Sequence, residues 1–180
     1  MRIKANDSTL LVIDIQERLL PVIQDGESVL EHSGWLLRAA QRLGVPVLLS
    51  EQYSKGLGPT SARLREGIAA EAILEKLEFS AARSGELFKL PGGERGQFII
   101  CGCETHVCVL QTVLDLLQRG NQVFVVEEAV GSRRAADKKL ALKRMRQAGA
   151  TIVSREMVVF EWLEKAGTDE FRAISKEFIR

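Results

Sequence analysis

The stretch FIICGCETHVCVLQTVLDLL, residues 98–117, decides the fold, because within it an apolar strand breaks on a small polar turn and continues as an amphipathic helix. Residues 98–101 form an apolar run of buried-strand length, and Gly102 opens the turn with no side chain to hinder it. Val109, Val113, Leu116 and Leu117 then recur at i, i+4, i+7 and i+8, the apolar face of a helix. Cys108 falls in the first turn of that helix, where unpaired backbone N–H groups and the positive end of the helix dipole favour the thiolate, the nucleophilic form. Cys101 and Cys103, two apart on a strand, point to one face and read as core, since a free cysteine usually behaves as a small buried hydrophobe. For Cys108 both readings stand.

Outward from this stretch, strand and helix patterns alternate. Residues 9–13 (TLLVI) are a wholly apolar run that ends on Asp14, as expected of a parallel strand covered on both faces. A helical period over residues 29–43 stops at Gly44, and residues 45–49 (VPVLL) give the second strand, with Pro46 pointing to an edge position. The turn-rich segment SEQYSKGLGPT, residues 50–60, reads as a loop at the carboxyl rim of that strand. A helix is expected over residues 61–70, then a short strand over 72–77 with Lys76 at its end, and one helical turn over 86–90 before the loop at 91–93. Residues 122–126 (QVFVV) form the fifth strand, Ser132 caps a helix running to Gln147 with Gly149 past its end, and residues 151–153 form the sixth strand. Two further helices, over 157–165 and 169–178, pack onto the body through Trp162 and Phe171. This alternation predicts an α/β fold, a three-layer α-β-α sandwich around a mostly parallel sheet of about six strands with right-handed crossovers.

With 180 residues, 46% hydrophobic and 27% charged, the chain suits one domain over residues 1–180. Its 25 basic and 24 acidic residues leave a net charge of +1, which argues against a nucleic-acid or membrane surface and for a small-molecule partner. The N-terminal apolar run is too short for a signal peptide or a membrane span, so a cytoplasmic location is expected. Three cysteines clustered within eight positions make no disulfide framework, and a reducing compartment keeps them as thiols. Together with His106 they offer four nitrogen and sulfur ligands, yet a cysteine-x-cysteine pair on a strand does not readily wrap a tetrahedron. No metal or cofactor is therefore expected.

A nucleophilic thiol needs a proton acceptor. His106 is only two residues from Cys108, where helical side chains do not face each other, and His32 lies in the middle of the first amphipathic helix. No G-x-S-x-G motif is present, which removes the common serine-hydrolase reading. Asp14 and Lys76 each follow or end a strand, and in a parallel sheet that brings both to the rim where Cys108 lies. Taken singly, Asp14 also admits a lesser reading as a helix cap, and Lys76, beside Glu75 and near Glu78, reads first as part of a solvated charged stretch. Taken together they have one chemical logic. The ammonium balances the carboxylate and lowers the thiol pKa, while Asp14 takes the thiol proton and returns it to a leaving amine. A non-catalytic binding or assembly protein that keeps the site as scaffold is the alternative.

Three runs, VIDIQ at 12–16, EKLEFSA at 75–81 and GCETHVCVLQT at 102–112, resemble the signatures of the isochorismatase-like cysteine hydrolases, in the family's order. The resemblance implies Asp14 as general base and acid, Lys76 as positioning cation and Cys108 as nucleophile of a small-amide hydrolase working through a thioester. It also implies a non-proline cis peptide between Cys103 and Glu104 and an oxyanion hole made by the backbone N–H groups of Glu104 and Cys108. Gln16, Tyr53, Phe79 and His106 are expected to line the substrate pocket. Nicotinamidases of this family carry an aspartate-x-histidine metal motif after strand two, where this chain has Glu51-Gln52-Tyr53, so the resemblance is to the subgroup without that metal. Family members are commonly dimers or larger, and Trp35, Trp162 and the final helices are the candidate contacts for a homo-oligomer.

Overall fold

The computed structural model describes residues 1–179. Six strands form one sheet, β1 (Ser8–Ile13), β2 (Val47–Gln52), β3 (Ile73–Lys76), β4 (Gln97–Cys103), β5 (Gln122–Gly131) and β6 (Thr151–Val153). Every pairing is parallel and the order across the sheet is β3-β2-β1-β4-β5-β6. The chain thus winds outward from β1 to one edge, returns to lie beside β1 as β4, and winds to the other edge. The strand order reverses between β1 and β4, and sheets of this kind bind ligands at the carboxyl ends of the strands beside such a reversal.

Strand alternation sends side chains into two cores. Leu10, Val12, Ile99 and Cys101 face one layer with α1 (Gly26–Arg42) and α6 (Arg155–Leu163), while Leu11, Ile13, Phe98 and Ile100 face the other with α4 (Leu110–Gln118) and α5 (Ala135–Ala148). Both faces of the sheet are covered, which is why the strands read as continuous apolar runs. β1 and β4 approach closely at Gly102, whose φ is +121° and where a Cβ would stand 2.0 Å from the Ile13 carbonyl oxygen. Only glycine fits that crossing.

Several local expectations are corrected. β2 is internal, not an edge. Pro46 precedes the strand, so its missing N–H breaks no ladder, and its carbonyl accepts the Leu10 N–H at 2.9 Å. The strand runs on through Ser50, Glu51 and Gln52, where the turn-rich sequence predicts a loop, and a single turn, α2 (Ser54–Leu57), follows. The helix expected over residues 61–70 is one turn, α3 (Ala62–Arg65), because the chain leaves helical geometry at Glu66 and Gly67 turns it with φ +76°. β5 continues to Gly131, beyond an irregularity in its pairing with β4. Ser132 caps nothing; α5 starts after Arg134, and the Ser132 hydroxyl instead meets His106. Gly149 does end α5, in the left-handed conformation. Trp35 and Trp162 are buried, Trp35 edge-on to Phe178 at 5.6 Å, so neither is free to contact a second copy.

Candidate active site

Asp14, the residue after β1, adopts φ +51°, a left-handed conformation that aspartate tolerates better than most residues. Its N–H donates to the Ser50 carbonyl and its own carbonyl accepts from the Gln16 N–H, which fixes the turn. The carboxylate is wholly buried. Ser50 Oγ donates to Oδ1 at 2.6 Å and Lys76 Nζ to Oδ2 at 2.8 Å.

Lys76 ends β3 in register with Gln52 on β2. Its ammonium has three hydrogens and three acceptors: Asp14 Oδ2, Gln52 Oε1 at 2.7 Å and the Phe79 carbonyl at 3.0 Å. A buried lysine with every donor matched is a built feature rather than a solvated charge. Gln52 in turn donates from Nε2 to the Leu77 carbonyl at 2.7 Å, which fixes its Oε1 between the ammonium and Cys108 Sγ, 4.0 Å away.

Cys108 sits in a π turn (Thr105–Val109) that leads into α4. The N–H groups of Val107 and Val109 both reach back to the Glu104 carbonyl, at 3.0 and 3.2 Å. The peptide between Cys103 and Glu104 is cis. Glu104 is held by Arg133, whose N–H and Nε both donate to Oε2 at 3.0 Å. Cys108 is 6% exposed, against 0% for Cys101 and Cys103. Burial pushes its thiol well above the ordinary range, and the charge of Asp14 pushes the same way, against the opposing field of Lys76. The lowered thiol pKa expected from the helix terminus is thus reversed.

The remaining expected residues divide. Tyr53, in a left-handed conformation at φ +39°, and Phe79 are each more than half exposed, flanking the rim at the ends of β2 and β3. His106 shares a hydrogen bond of 3.0 Å with Ser132. Gln16 differs: it is buried, and its amide donates to the carbonyls of Gln52 and Gly58 and accepts from the Gln52 N–H, so both donors serve the backbone. It clamps the 53–60 loop to the rim instead of facing a ligand. The cysteines do not converge on a metal, because Cys101 and Cys103 lie in the α1 layer and Cys108 in the α4 layer. Ser50 and Gln52 are the residues that sequence reading missed. Their spacing of two at the polar end of an apolar run was the available signal, since it places both on one strand face.

A model of the isochorismatase domain matches residues 8–157. Isochorismatase domain-containing protein 2A of Mus musculus is 38% identical, over 97% of this chain and 84% of its own length. The secreted isochorismatase effector Isc1 of Phytophthora sojae is 35% identical, over 97% of this chain and 86% of its own. Among solved structures, MAR1 ribonuclease from Caenorhabditis elegans superposes with a TM-score of 0.89 at 36% identity, covering 98% of this chain and 91% of that one. The matched model, the relatives and the shared three-layer hydrolase fold agree: the chain belongs to the isochorismatase family.

Proposed function

We propose that the protein is a cysteine-dependent hydrolase of small amides or related acyl compounds. The observation that carries this is the buried Asp14–Lys76 pair at 2.8 Å, set beside the least buried of the three thiols. In the first half-reaction Asp14 takes the Sγ proton as sulfur attacks the acyl carbon. The tetrahedral oxyanion is held by the N–H groups of Glu104 and Cys108, and Asp14 returns the proton to the departing nitrogen, leaving a thioester on Cys108 and a free amine. In the second half-reaction Asp14 takes a proton from water, hydroxide adds to the thioester, and the acid departs as the thiol is restored. Lys76 and Ser50 hold the carboxylate in line throughout, and Gln52 holds Lys76. Tyr53, Phe79 and His106 form the walls that meet the substrate. No metal or cofactor enters these steps.

No helix among the described residues is long and apolar enough to cross a membrane. We place the protein in the cytoplasm as a homo-oligomer, with the exposed Tyr53, Leu77 and Phe79 as the apolar side chains a second copy covers. Sedimentation at micromolar concentration tests the assembly; a monomer removes it.

The reaction is tested by ammonia release across small amides, ureides and carbamoyl compounds, with Cys108→Ser as control. Turnover by the native chain and none by the variant is the expected result. Equal turnover by both, or cleavage of RNA with no small amide hydrolysed, overturns the reading. The scaffold alternative predicts no turnover by either and unchanged ligand binding by the variant.

A further inference from the structure

Away from the rim, a groove of about 360 Å³ runs between α1, α3 and the start of α6, lined by Leu30, Glu31, Gly34, Trp35, Arg38, Arg63, Leu64 and Arg155. Three arginines face one carboxylate across it. Arg63 is held by Glu27, but neither Arg38 nor Arg155 forms an ion pair among the described residues. The Arg155 guanidinium lies over the Trp35 ring, 4.4 Å from its centroid, so an aromatic face positions it, and its N–H groups donate to no acceptor among the described residues.

The floor of the groove is Gly34, in the middle of the 17-residue α1. Glycine is a poor helix former, and here neither of its usual reasons holds. Its φ is not positive, and a Cβ would meet only Leu64 Cδ2 at 3.4 Å and Arg38 Nη1 at 3.5 Å, ordinary contact distances. Alanine would fit and favour the helix. The missing side chain leaves open the space between two groove-lining residues.

We infer that this groove binds a phosphate-bearing small molecule, with the guanidinium forks of Arg38 and Arg155 on the phosphate oxygens and Gly34 giving the floor clearance. Planar guanidinium matches phosphate in paired hydrogen bonds, and a groove of this size suits a compact anion. The proposal is independent of the reaction at Cys108.

The test is calorimetric titration of the whole chain with pyrophosphate at low ionic strength. Saturable one-to-one binding is expected, weakened about tenfold or more by Arg38→Ala and by Arg155→Ala, and unchanged by Lys143→Ala on the exposed face of α5. Gly34→Ala is expected to raise the melting temperature while weakening pyrophosphate binding several-fold, a combination that misfolding cannot produce. Glycerol phosphate should compete; a short single-stranded oligonucleotide should not. Binding that is absent, that ignores all three variants, or that prefers the oligonucleotide overturns the inference.

Discussion

Cys101 and Cys108 stand seven residues apart, one on the strand and one in the turn that follows it, and on opposite faces of the same sheet. Both thiols are pushed up by burial. What differs is the company. Cys101 has only the Ser33 hydroxyl to offset its burial, whereas Cys108 lies in the fields of Asp14 and Lys76, delivered by β1 and β3 from distant parts of the chain. Burial alone makes a cysteine inert; on the proposed mechanism, a carboxylate that takes its proton and a cation that balances the carboxylate are what set Cys108 apart.

The largest effect that separates the two sulfurs is on turnover. Cys108→Ala should lower ammonia release by about 10⁴-fold or more, whereas Cys101→Ala should leave it within a few-fold, because in the proposed mechanism only the first removes a bond-forming atom. Steady-state rates on an amide found by screening measure this. Next comes stability. Lys76→Met leaves the wholly buried Asp14 carboxylate without its ammonium, and urea denaturation should show a loss of about 3–5 kcal/mol, part of it recovered in the Asp14→Asn, Lys76→Met double variant.

Alkylation sharpens the contrast by sign. Asp14 raises the Cys108 thiol and Lys76 lowers it, so iodoacetamide should label Cys108 faster in Asp14→Asn and slower in Lys76→Met, although both variants lose turnover. A slower Asp14→Asn would break the electrostatic account. The smallest effect belongs to the core sulfur. Cys101 is pushed up to about 12, so above its unfolded value near 9 the unfolded chain sheds a proton that the folded chain keeps. That thiol's contribution is complete below about pH 9 and declines toward pH 12. Alkaline denaturation should be shallower in Cys101→Ala.

The same contrast shows what a linear reading reaches. The run of residues 98–117 carries its own strand, turn and helix, because apolar periodicity and one glycine are local properties, and the layered parallel fold follows from repeating that unit. Asp14 and Lys76 were recognisable as strand-end residues and Cys108 as a first-turn residue of the helix after β4. Ser50 and Gln52 were not, because a polar ending looks like a loop unless the neighbouring strand's register with Lys76 is known. Gln16 misled for the same reason, since nothing local says that its amide is taken up by the backbone of a loop some 40 residues on. The direction of the Cys108 shift also escaped, because helix position is legible in sequence and burial is not.

Site-resolved mass spectrometry of the folded chain during limited iodoacetamide treatment near neutral pH tests the central claim most directly. The account predicts that Cys108 is carbamidomethylated first, with Cys101 and Cys103 protected until the chain unfolds. Faster modification of Cys101 or Cys103 would contradict it.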